Sequence, residues 1–309
     1  MGAPAIEVSQ LSKSFGATTA LDRFDLVVQP GEVMGFLGPN GAGKTTTIRV
    51  LLGLIRADAG SVRVLERDPW RDAVALHPRL AYVPGDVALW PSLSGGETLD
   101  LLARMHGAVD VRRQERLVER FGIDPTTKVR ACSTGNRQKI ALVAALATDA
   151  ELLLLDEPTA GLDPLMEAAF RDEVDELRTR GVTVLLSSHI LGEVERLCDT
   201  VTIIRDGRTV EAGNLAELRH LTRSTVALRA RGGAAGTDGL ARLASTPGVH
   251  GFTQEGARVT FQVDAHRSGE VLTVLAGLDV VDLTWEPASL EDLFLRHYGH
   301  ATAGSPGRP

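Results

Sequence analysis

A short glycine-rich segment carries the clearest chemical signal in this chain. It reads GPNGAGKTT and matches the pattern G-x-x-x-x-G-K-[ST] between a strand-like EVMGFL and a helix-like TTIRVLLGL. The glycines let successive backbone N–H groups converge on phosphate oxygens, and the start of the following helix presents its positive end to them. The segment therefore predicts a phosphate-binding loop formed by Gly38, Pro39, Asn40, Gly41, Ala42, Gly43, Lys44, Thr45 and Thr46.

Two residues of this loop have individual chemical roles. We expect Lys44 to neutralise charge on the β- and γ-phosphates of a nucleotide, and the Thr45 hydroxyl to ligate Mg²⁺. Without its flanks, the same segment could be a glycine-rich turn between a strand and a helix. Because both flanking elements are predicted here, we interpret it as a phosphate-binding loop.

A pair of carboxylates follows an apolar strand later in the chain. The segment LLLLDE ends with Asp156 and Glu157, which places both at the carboxyl edge of a sheet, where ligands bind. We expect Asp156 to lie near Mg²⁺ and Glu157 to face an attacking water as a general base. In isolation the pair could instead cap the next segment, so this interpretation depends on the phosphate-binding loop.

Both motifs lie in an α/β pattern that extends to about residue 215. Short apolar runs bounded by turn signals alternate with helical stretches, as expected of buried parallel strands. Between Pro84 and Cys132 the strand signal is missing, and two helical patterns predict a helical insertion at about residues 85–135. The apolar runs are Gly31 to Leu37, Glu151 to Leu155, Val182 to Ser187 and Val201 to Arg205.

The hydrophobic pattern of the sequence changes after residue 221. There Val226 to Leu228 and Val259 to Val263 alternate with period two, and the strand and helix patterns follow the order β-α-β-β-α-β. This order is typical of a small α+β split-βαβ domain. We therefore predict a nucleotide-binding domain over residues 1–221, an accessory domain over 222–300 and a disordered tail over 301–309.

Length and composition exclude several classes of protein. The 309 residues suffice for about two domains of roughly 150 residues each. An apolar fraction of 43% and a charged fraction of 24% indicate a folded globular chain. The net charge of -7 disfavours a nucleic-acid partner. Cys132 and Cys198 are too few for a disulfide framework, and no apolar run reaches the ~20 residues of a membrane helix, so we expect a cytoplasmic protein.

The phosphate-binding loop and the segment LLLLDEPTAGLDP resemble, in order and distance, those of the ATPase subunit of an ATP-binding cassette (ABC) transporter. The resemblance covers approximately residues 5–215 and implies a P-loop NTPase core with ATP and Mg²⁺ as cofactors. In that family two such domains enclose two ATP molecules, and each phosphate-binding loop faces the signature motif of the partner. The resemblance therefore implies ATP hydrolysis and a homodimer in the ATP-bound state.

Two segments compete for the position of this signature motif. Residues 93–97 read LSGGE, but Ser94 lies 62 residues before Asp156, whereas Ser133 lies 23 residues before it. The family places its signature a short helix before the metal-binding strand, so the spacing favours Ser133. Ser94 is better explained by a capping box, S-x-x-E, at the start of an apolar helix.

The second segment, CSTGNRQKIALVAAL, resembles the signature and the helix that follows it. Ser133, Gly135 and Asn136 stand in the serine, second-glycine and glutamine places, and Thr134 replaces the first glycine. A serine hydroxyl, a glycine that permits close approach and the positive start of a helix form a second anion site. The resemblance implies that this site binds the γ-phosphate of ATP held by the partner.

The resemblance also suggests roles for His189, Asp163 and Phe15. His189 follows VTVLLSS and matches the switch histidine that contacts the γ-phosphate; otherwise it would be an ordinary satisfied polar group. Asp163 matches the loop that links the two ATP sites, and it also fits a helix N-cap before Pro164. Phe15 matches an aromatic ring that stacks on adenine, with core packing as the alternative.

One segment departs from the family pattern. In YVPGDV, Gly85 stands where the family has a glutamine that reaches Mg²⁺ and the attacking water. The sequence leaves two possibilities open. Either Asp86 extends a carboxylate towards the metal, or Glu157 and His189 position the water alone.

The work that ATP drives requires a partner, because the sequence contains no membrane helix. We expect one or more ABC permease membrane subunits, docked against the helical insertion, with this chain peripheral on the inner face of the cell membrane. The segment EPASLEDLFLRHYG resembles the accessory domain of bacterial drug and antibiotic exporter ATPases of the daunorubicin-resistance type. This implies export of drugs or other hydrophobic compounds. The alternatives are a soluble non-transport ABC ATPase and a nucleotide-dependent regulatory module, and the accessory domain could serve packing alone.

Overall fold

The computed structural model describes residues 2–107, 109–220, 223–230 and 234–286. The chain divides into two compact units with the boundary after Gly213. The predicted boundary at residue 221 differs from this division by one short helix, Leu215–His220, which belongs to the second unit. The predicted tail, residues 301–309, lies outside the described residues.

The first unit is built on two sheets. Its strands, in chain order, are β1 (Ile6–Phe15), β2 (Thr18–Val28), β3 (Val33–Leu37), β4 (Ala59–Val64), β5 (Leu80–Val83), β6 (Leu152–Asp156), β7 (Thr183–Ser188), β8 (Thr200–Arg205) and β9 (Arg208–Asn214). The larger sheet has the order β5-β6-β7-β3-β8-β9, and the pairs from β5 to β8 are parallel. Every residue of β3, β6 and β7 is buried, which explains their nearly continuous apolar sequences. The predicted parallel strands are thus present.

The smaller sheet was not predicted from the sequence. In it β1 pairs antiparallel with both β2 and β4. Its strands alternate between buried and exposed residues, and register shifts interrupt the pairing at Val8, Leu11 and Lys13. A search for continuous apolar runs misses such strands, because one face of this sheet is exposed.

Helices cover the larger sheet and form the insertion. They are α1 (Lys44–Leu51), α2 (Ala73–Leu76), α3 (Gly95–His106), α4 (Val111–Arg120), α5 (Thr134–Leu146), α6 (Pro164–Thr179) and α7 (Leu191–Leu197). Helices α3 and α4 lie within the predicted insertion at residues 85–135, and both pack against α5. Among the described residues, no helix combines the length and the apolar character needed to cross a membrane.

The second unit begins with α8 (Leu215–His220) and has its own hydrophobic core. Its further elements are β10 (Arg223–Ala230), α9 (Ala234–Ala244), β11 (Val249–Glu255), β12 (Arg258–Asp264), α10 (Ser268–Leu275) and β13 (Val280–Glu286). The strands form an antiparallel sheet with the order β11-β12-β10-β13. This is the β-α-β-β-α-β arrangement that the sequence predicts.

Candidate functional site

The phosphate-binding loop connects the end of β3 to the start of α1. Gly43 is the N-cap of α1 with φ of 113°, a backbone conformation that residues with a Cβ rarely adopt. An added Cβ at this position would also lie 2.8 Å from the carbonyl oxygen of Ala20. Only glycine therefore allows α1 to begin directly at Lys44, so that the unpaired N–H groups of its first turn lie at the loop.

The loop forms one wall of a cavity of about 480 Å³. The lining comes from four segments of the chain, namely β2 at Ala20, the loop with α1, the end of β5 and the end of β6. A volume of this size falls in the range of small-molecule sites. The polar and charged residues that line it are Asn40, Lys44, Thr45, Thr46, Arg49, Tyr82, Asp86, Asp156 and Glu157.

Lys44 supplies a buried positive charge to this cavity. Its side chain is only 6% exposed, and Nζ donates hydrogen bonds to the carbonyl oxygens of Gly38 at 2.6 Å and Pro39 at 3.3 Å. Nζ also lies 3.2 Å from Glu157 Oε1. This buried ammonium group is surrounded by carbonyl and carboxylate oxygens. It is suited to bind a polyphosphate, because phosphate oxygens can take the place of these acceptors.

Thr45 and Asp156 place two hard oxygen donors side by side. The Thr45 hydroxyl donates to Asp156 Oδ2 at 2.8 Å, and the Ser187 hydroxyl donates to Asp156 Oδ1. Asp156 is buried at the end of β6. A hydroxyl and a carboxylate of this kind fit Mg²⁺, which prefers oxygen ligands and is usually held by one or two carboxylates together with substrate phosphates.

Glu157 lies between two groups that could act on the same substrate. Its Oε2 accepts a hydrogen bond from His189 Nδ1 at 2.6 Å, while Oε1 is the oxygen near Lys44. Its φ of 50° is in the left-handed region, which is uncommon for a non-glycine residue and costs free energy. The backbone N–H of Glu157 donates to Ser187 O at 3.1 Å, so β7 supports this conformation and directs the carboxylate.

Two polar residues of the lining were not predicted from the sequence as site residues. Tyr82 lies on β5 and Arg49 on α1. Burial raises the pKa of Tyr82 to about 12, and the nearby Asp156 carboxylate acts in the same direction, whereas Arg49 opposes it. The Tyr82 hydroxyl therefore stays protonated at neutral pH and can donate a hydrogen bond at the cavity.

Phe15 lies on the surface rather than in the core. Its side chain is 50% exposed, and Lys13 Nζ lies 5.4 Å from the centre of the ring. The core-packing alternative is therefore wrong. Phe15 does not line the cavity, so its stacking on adenine stays a prediction.

Ser133 is the N-cap of α5, and its hydroxyl accepts a hydrogen bond from Asn136 N at 3.2 Å. Ser133 and Asn136 are exposed, as is Thr134, so the extra Cβ at that position is accommodated at the surface. Gly135 has no such freedom, because an added Cβ would lie 2.5 Å from Gly161 O. None of these residues lines the cavity of the same chain.

The LSGGE segment forms a helix cap, as its spacing predicts. Ser94 is the N-cap of α3: its side chain accepts from Glu97 N at 3.2 Å, and Glu97 Oε2 accepts from Ser94 N at 2.6 Å. Asp163 likewise caps α6, with Oδ1 accepting from Leu165 N at 3.1 Å and Met166 N at 2.9 Å. Capping thus explains Ser94 fully, and for Asp163 it is compatible with a second role at an interface.

Replacing Ser94 by alanine is expected to lower the free energy of unfolding by about 1 kcal/mol and to leave phosphate release from ATP unchanged. The reason is that the variant loses only the cap of α3. Denaturant unfolding and a phosphate-release assay measure the two quantities. Ser133→Ala is the matched variant, since it also removes an N-cap hydroxyl but should reduce phosphate release. A Ser94→Ala protein that folds and loses turnover would contradict this assignment.

Comparisons with known proteins place the chain among ABC transporter ATP-binding proteins. The profile of the family described as ABC transporter matches residues 21–160. A daunorubicin resistance ATP-binding protein of Streptomyces coeruleorubidus is 38% identical, with 97% of each chain covered. A bacitracin transport ATP-binding protein of Bacillus licheniformis is 31% identical, covering 97% of this chain and 99% of its own.

Solved structures show the same fold over about 70% of the chain. The structure of an ATP-binding subunit of an ABC transporter matches with a TM-score of 0.66 and 32% identity, covering 70% of this chain and 92% of its own. A dimeric ATP-binding cassette in a post-hydrolysis state, bound to ADP and Pi, matches with a TM-score of 0.62 and 20% identity. It covers 68% of this chain and 98% of its own.

Proposed function

We propose that this chain, which belongs to the family of ABC transporter ATP-binding proteins, powers the export of drugs or other hydrophobic compounds through a separate membrane permease. Its reaction is ATP hydrolysis. One observation carries the proposal: Lys44, Thr45, Asp156 and Glu157 meet at one cavity. The substrate class is supported by the whole-length similarity to daunorubicin resistance and bacitracin transport proteins.

The residues of the cavity divide the chemistry of hydrolysis among them. Lys44 would stabilise negative charge on the terminal phosphates, and Glu157 would orient the attacking water and accept its proton. His189, which donates to Glu157, fits a contact with the γ-phosphate. Mg²⁺, held by Thr45 and Asp156, would add positive charge at the phosphates.

Asp86 is proposed as a further oxygen ligand on the metal side of the cavity. It is exposed and lines the same cavity as Asp156. The adjacent Gly85 leaves little room for a side chain, because an added Cβ would lie 3.3 Å from Asp156 O and 3.6 Å from Asp156 Cγ. A carboxylate one residue later can approach this region without that crowding.

The exposed position of the signature residues supports a sandwich of two copies. Ser133, Gly135 and Asn136 do not line the cavity of their own chain, yet Ser133 and Asn136 are exposed at the start of α5. In the proposed homodimer they contact the γ-phosphate of the ATP bound to the second copy. Asp163, at the start of α6, then lies at the interface and links the two sites.

An apolar groove supports the docking of a permease subunit on the first unit. Its volume is about 620 Å³, and it lies between α2, the end of β5, α3 and α5. Three exposed apolar side chains line it, namely Val74, Trp90 and Met105. We propose that a segment of the permease covers them, which holds this chain on the inner face of the membrane.

Export can be tested directly with inside-out membrane vesicles that contain the permease and this chain. They are expected to accumulate a fluorescent hydrophobic drug only when Mg²⁺ and ATP are supplied, because hydrolysis on the outer surface drives transport inwards. Vesicles with the permease alone are the control. Full ATPase activity with no permease bound and no ATP-dependent accumulation would contradict export and favour a soluble ATPase.

A further inference from the structure

Glu193 is a buried carboxylate that no motif of the sequence accounts for. It lies on α7 and is 6% exposed. Its Oε1 accepts from the Thr159 hydroxyl at 2.5 Å, and its Oε2 accepts from the Ser188 hydroxyl at 2.6 Å. Both partners are neutral hydroxyls. Burying a carboxylate in such surroundings is costly, which points to a role in the site.

The electrostatic surroundings of Glu193 agree with this cost. Burial raises its pKa, the Ser188 and Thr159 hydroxyls lower it, and the carboxylates of Glu157 and Glu167 raise it further. The group therefore lies within the field of the proposed general base without touching the nucleotide cavity.

The two hydroxyls belong to two different functional loops. Thr159 lies two residues after Glu157, in the segment 158–162 that leads to Asp163. Ser188 directly precedes His189, and its Oγ also accepts from Ile190 N at 2.9 Å. This hydrogen bond joins the two residues on either side of the histidine. Each oxygen of Glu193 thus holds one of these loops.

Helix α5, which follows the proposed signature, also holds the segment 158–162. Gln138 of α5 is 3% exposed, and its Nε2 donates to Pro158 O at 2.9 Å. Gly135 packs so closely on Gly161 that an added Cβ would lie 2.5 Å from its carbonyl oxygen. A contiguous set of contacts therefore runs from α5 through this segment to Glu193 and on to the His189 loop.

We propose that Glu193 is a positioning residue, which couples the signature helix to His189 by holding segment 158–162 and the His189 loop in one arrangement. This inference rests on the proposed ATP sandwich, in which α5 contacts the nucleotide of the second copy. Engagement of Ser133 by that nucleotide would then favour the arrangement of His189 and Glu157 that is needed for hydrolysis in the same chain.

The test is Glu193→Gln in the full chain. Glutamine has the same shape but carries no charge and has only one acceptor oxygen, so one of the two hydroxyls must give up donating and instead accept from the glutamine Nε2. We expect kcat for ATP hydrolysis to fall by about 10- to 100-fold, while KM and the affinity for a fluorescent ATP analogue stay unchanged. Glu173→Gln is the matched control, because Glu173 is an equally buried carboxylate on α6 that bonds Arg120 at 2.6 Å. It should lower thermal stability without changing kcat.

A double variant separates positioning from a general loss of structure. In a His189→Ala background, Glu193→Gln should cause no further fall in kcat, because its effect is transmitted through His189. If the double variant instead lost kcat by the product of the two single losses, the inference would be overturned. A Glu193→Gln protein with the kcat of the wild type would overturn it as well. If that variant does not fold, Thr159→Val and Ser188→Ala remove the two hydroxyls singly, and each must lower kcat for the proposal to stand.

The failure of this inference is distinguishable from failure of the proposed function. If the wild-type protein hydrolyses ATP and dimerises with it, and Glu193→Gln has the same kcat, only the proposed role of Glu193 is contradicted. If the wild-type protein neither hydrolyses ATP nor dimerises, the proposed sandwich of two copies is contradicted.

Discussion

Replacing Glu157 by glutamine is expected to stop ATP turnover and to leave a stable dimer in the presence of Mg²⁺ and ATP. The carboxylate accepts from His189 at 2.6 Å and lies 3.2 Å from Lys44 Nζ. An amide of the same shape keeps the contacts of an acceptor oxygen but cannot take a proton from water. Loss of a general base costs about 10²- to 10⁴-fold in kcat, so ATP binds, closes the dimer and is not consumed.

Two measurements test this prediction. Phosphate release gives kcat, and light scattering after size exclusion gives the mass with and without ATP. Cys132 provides an independent readout, because it precedes Ser133 and should be protected from alkylation in the dimer. Cys198 stays unreactive in both states, since it is buried and burial raises the pKa of its thiol.

Glu151→Gln is the matched control for the Glu157 variant. Glu151 directly precedes the same strand, β6, but is exposed and forms an ion pair with Arg79 at 2.6 Å. Its replacement should leave kcat unchanged, because Glu151 does not line the cavity. The variant should also stay folded, since an exposed ion pair contributes at most about 1 kcal/mol to stability. A Glu157→Gln protein that remains monomeric at millimolar ATP would count against the sandwich.

Lys44→Met is expected to remove both tight nucleotide binding and hydrolysis. Methionine has a similar length without the charge, so the cavity loses the buried ammonium that donates to Gly38 O and Pro39 O. Removing one preorganised donor to developing charge costs about 10²- to 10³-fold in kcat. Titration with a fluorescent nucleotide and phosphate release measure the two losses.

The control for Lys44 is Lys128→Met. Lys128 lies in the insertion and pairs with Glu97 at 2.9 Å, with 45% of its side chain exposed. It should bind and hydrolyse ATP as the wild type does. Wild-type turnover in Lys44→Met, with its fold confirmed by circular dichroism, would show that the loop does not bind the phosphates of the hydrolysed nucleotide.

The groups proposed for catalysis are partners of one another in the cavity. Lys44 pairs with Glu157, Thr45 with Asp156, and His189 with Glu157. In the proposed reaction, ATP and Mg²⁺ would replace these contacts with their own. These contacts hold the groups in position and compensate their charges.

The family and its ATPase activity could be predicted from the sequence, and the comparisons confirm both. The reason is that phosphate binding depends on local backbone geometry, which a contiguous segment such as 38–46 specifies by its glycines. Spacing also separated Ser94 from Ser133, and the capping box at Ser94 is present. The roles assigned to the individual site residues stay predictions.

Other features could not be predicted from the sequence. The sheet of β1, β2 and β4 was missed, because its exposed face and register shifts leave no continuous apolar run. Tyr82 and Glu193 were missed because their significance comes from neighbours distant in sequence, such as Asp156 for Tyr82. Neither residue type nor spacing marks such a pair.

Local patterns of residues predict the glycine-rich loop 38–46, the acidic pair at the end of an apolar strand and the order of the two units. These patterns do not reveal which of the groups share a cavity and which are exposed. Long-range packing brings Lys44, Asp156 and Glu157 together and keeps Ser133 outside that cavity. Contacts of this kind depend on how strands and helices pack in space, which the linear order of residues does not specify.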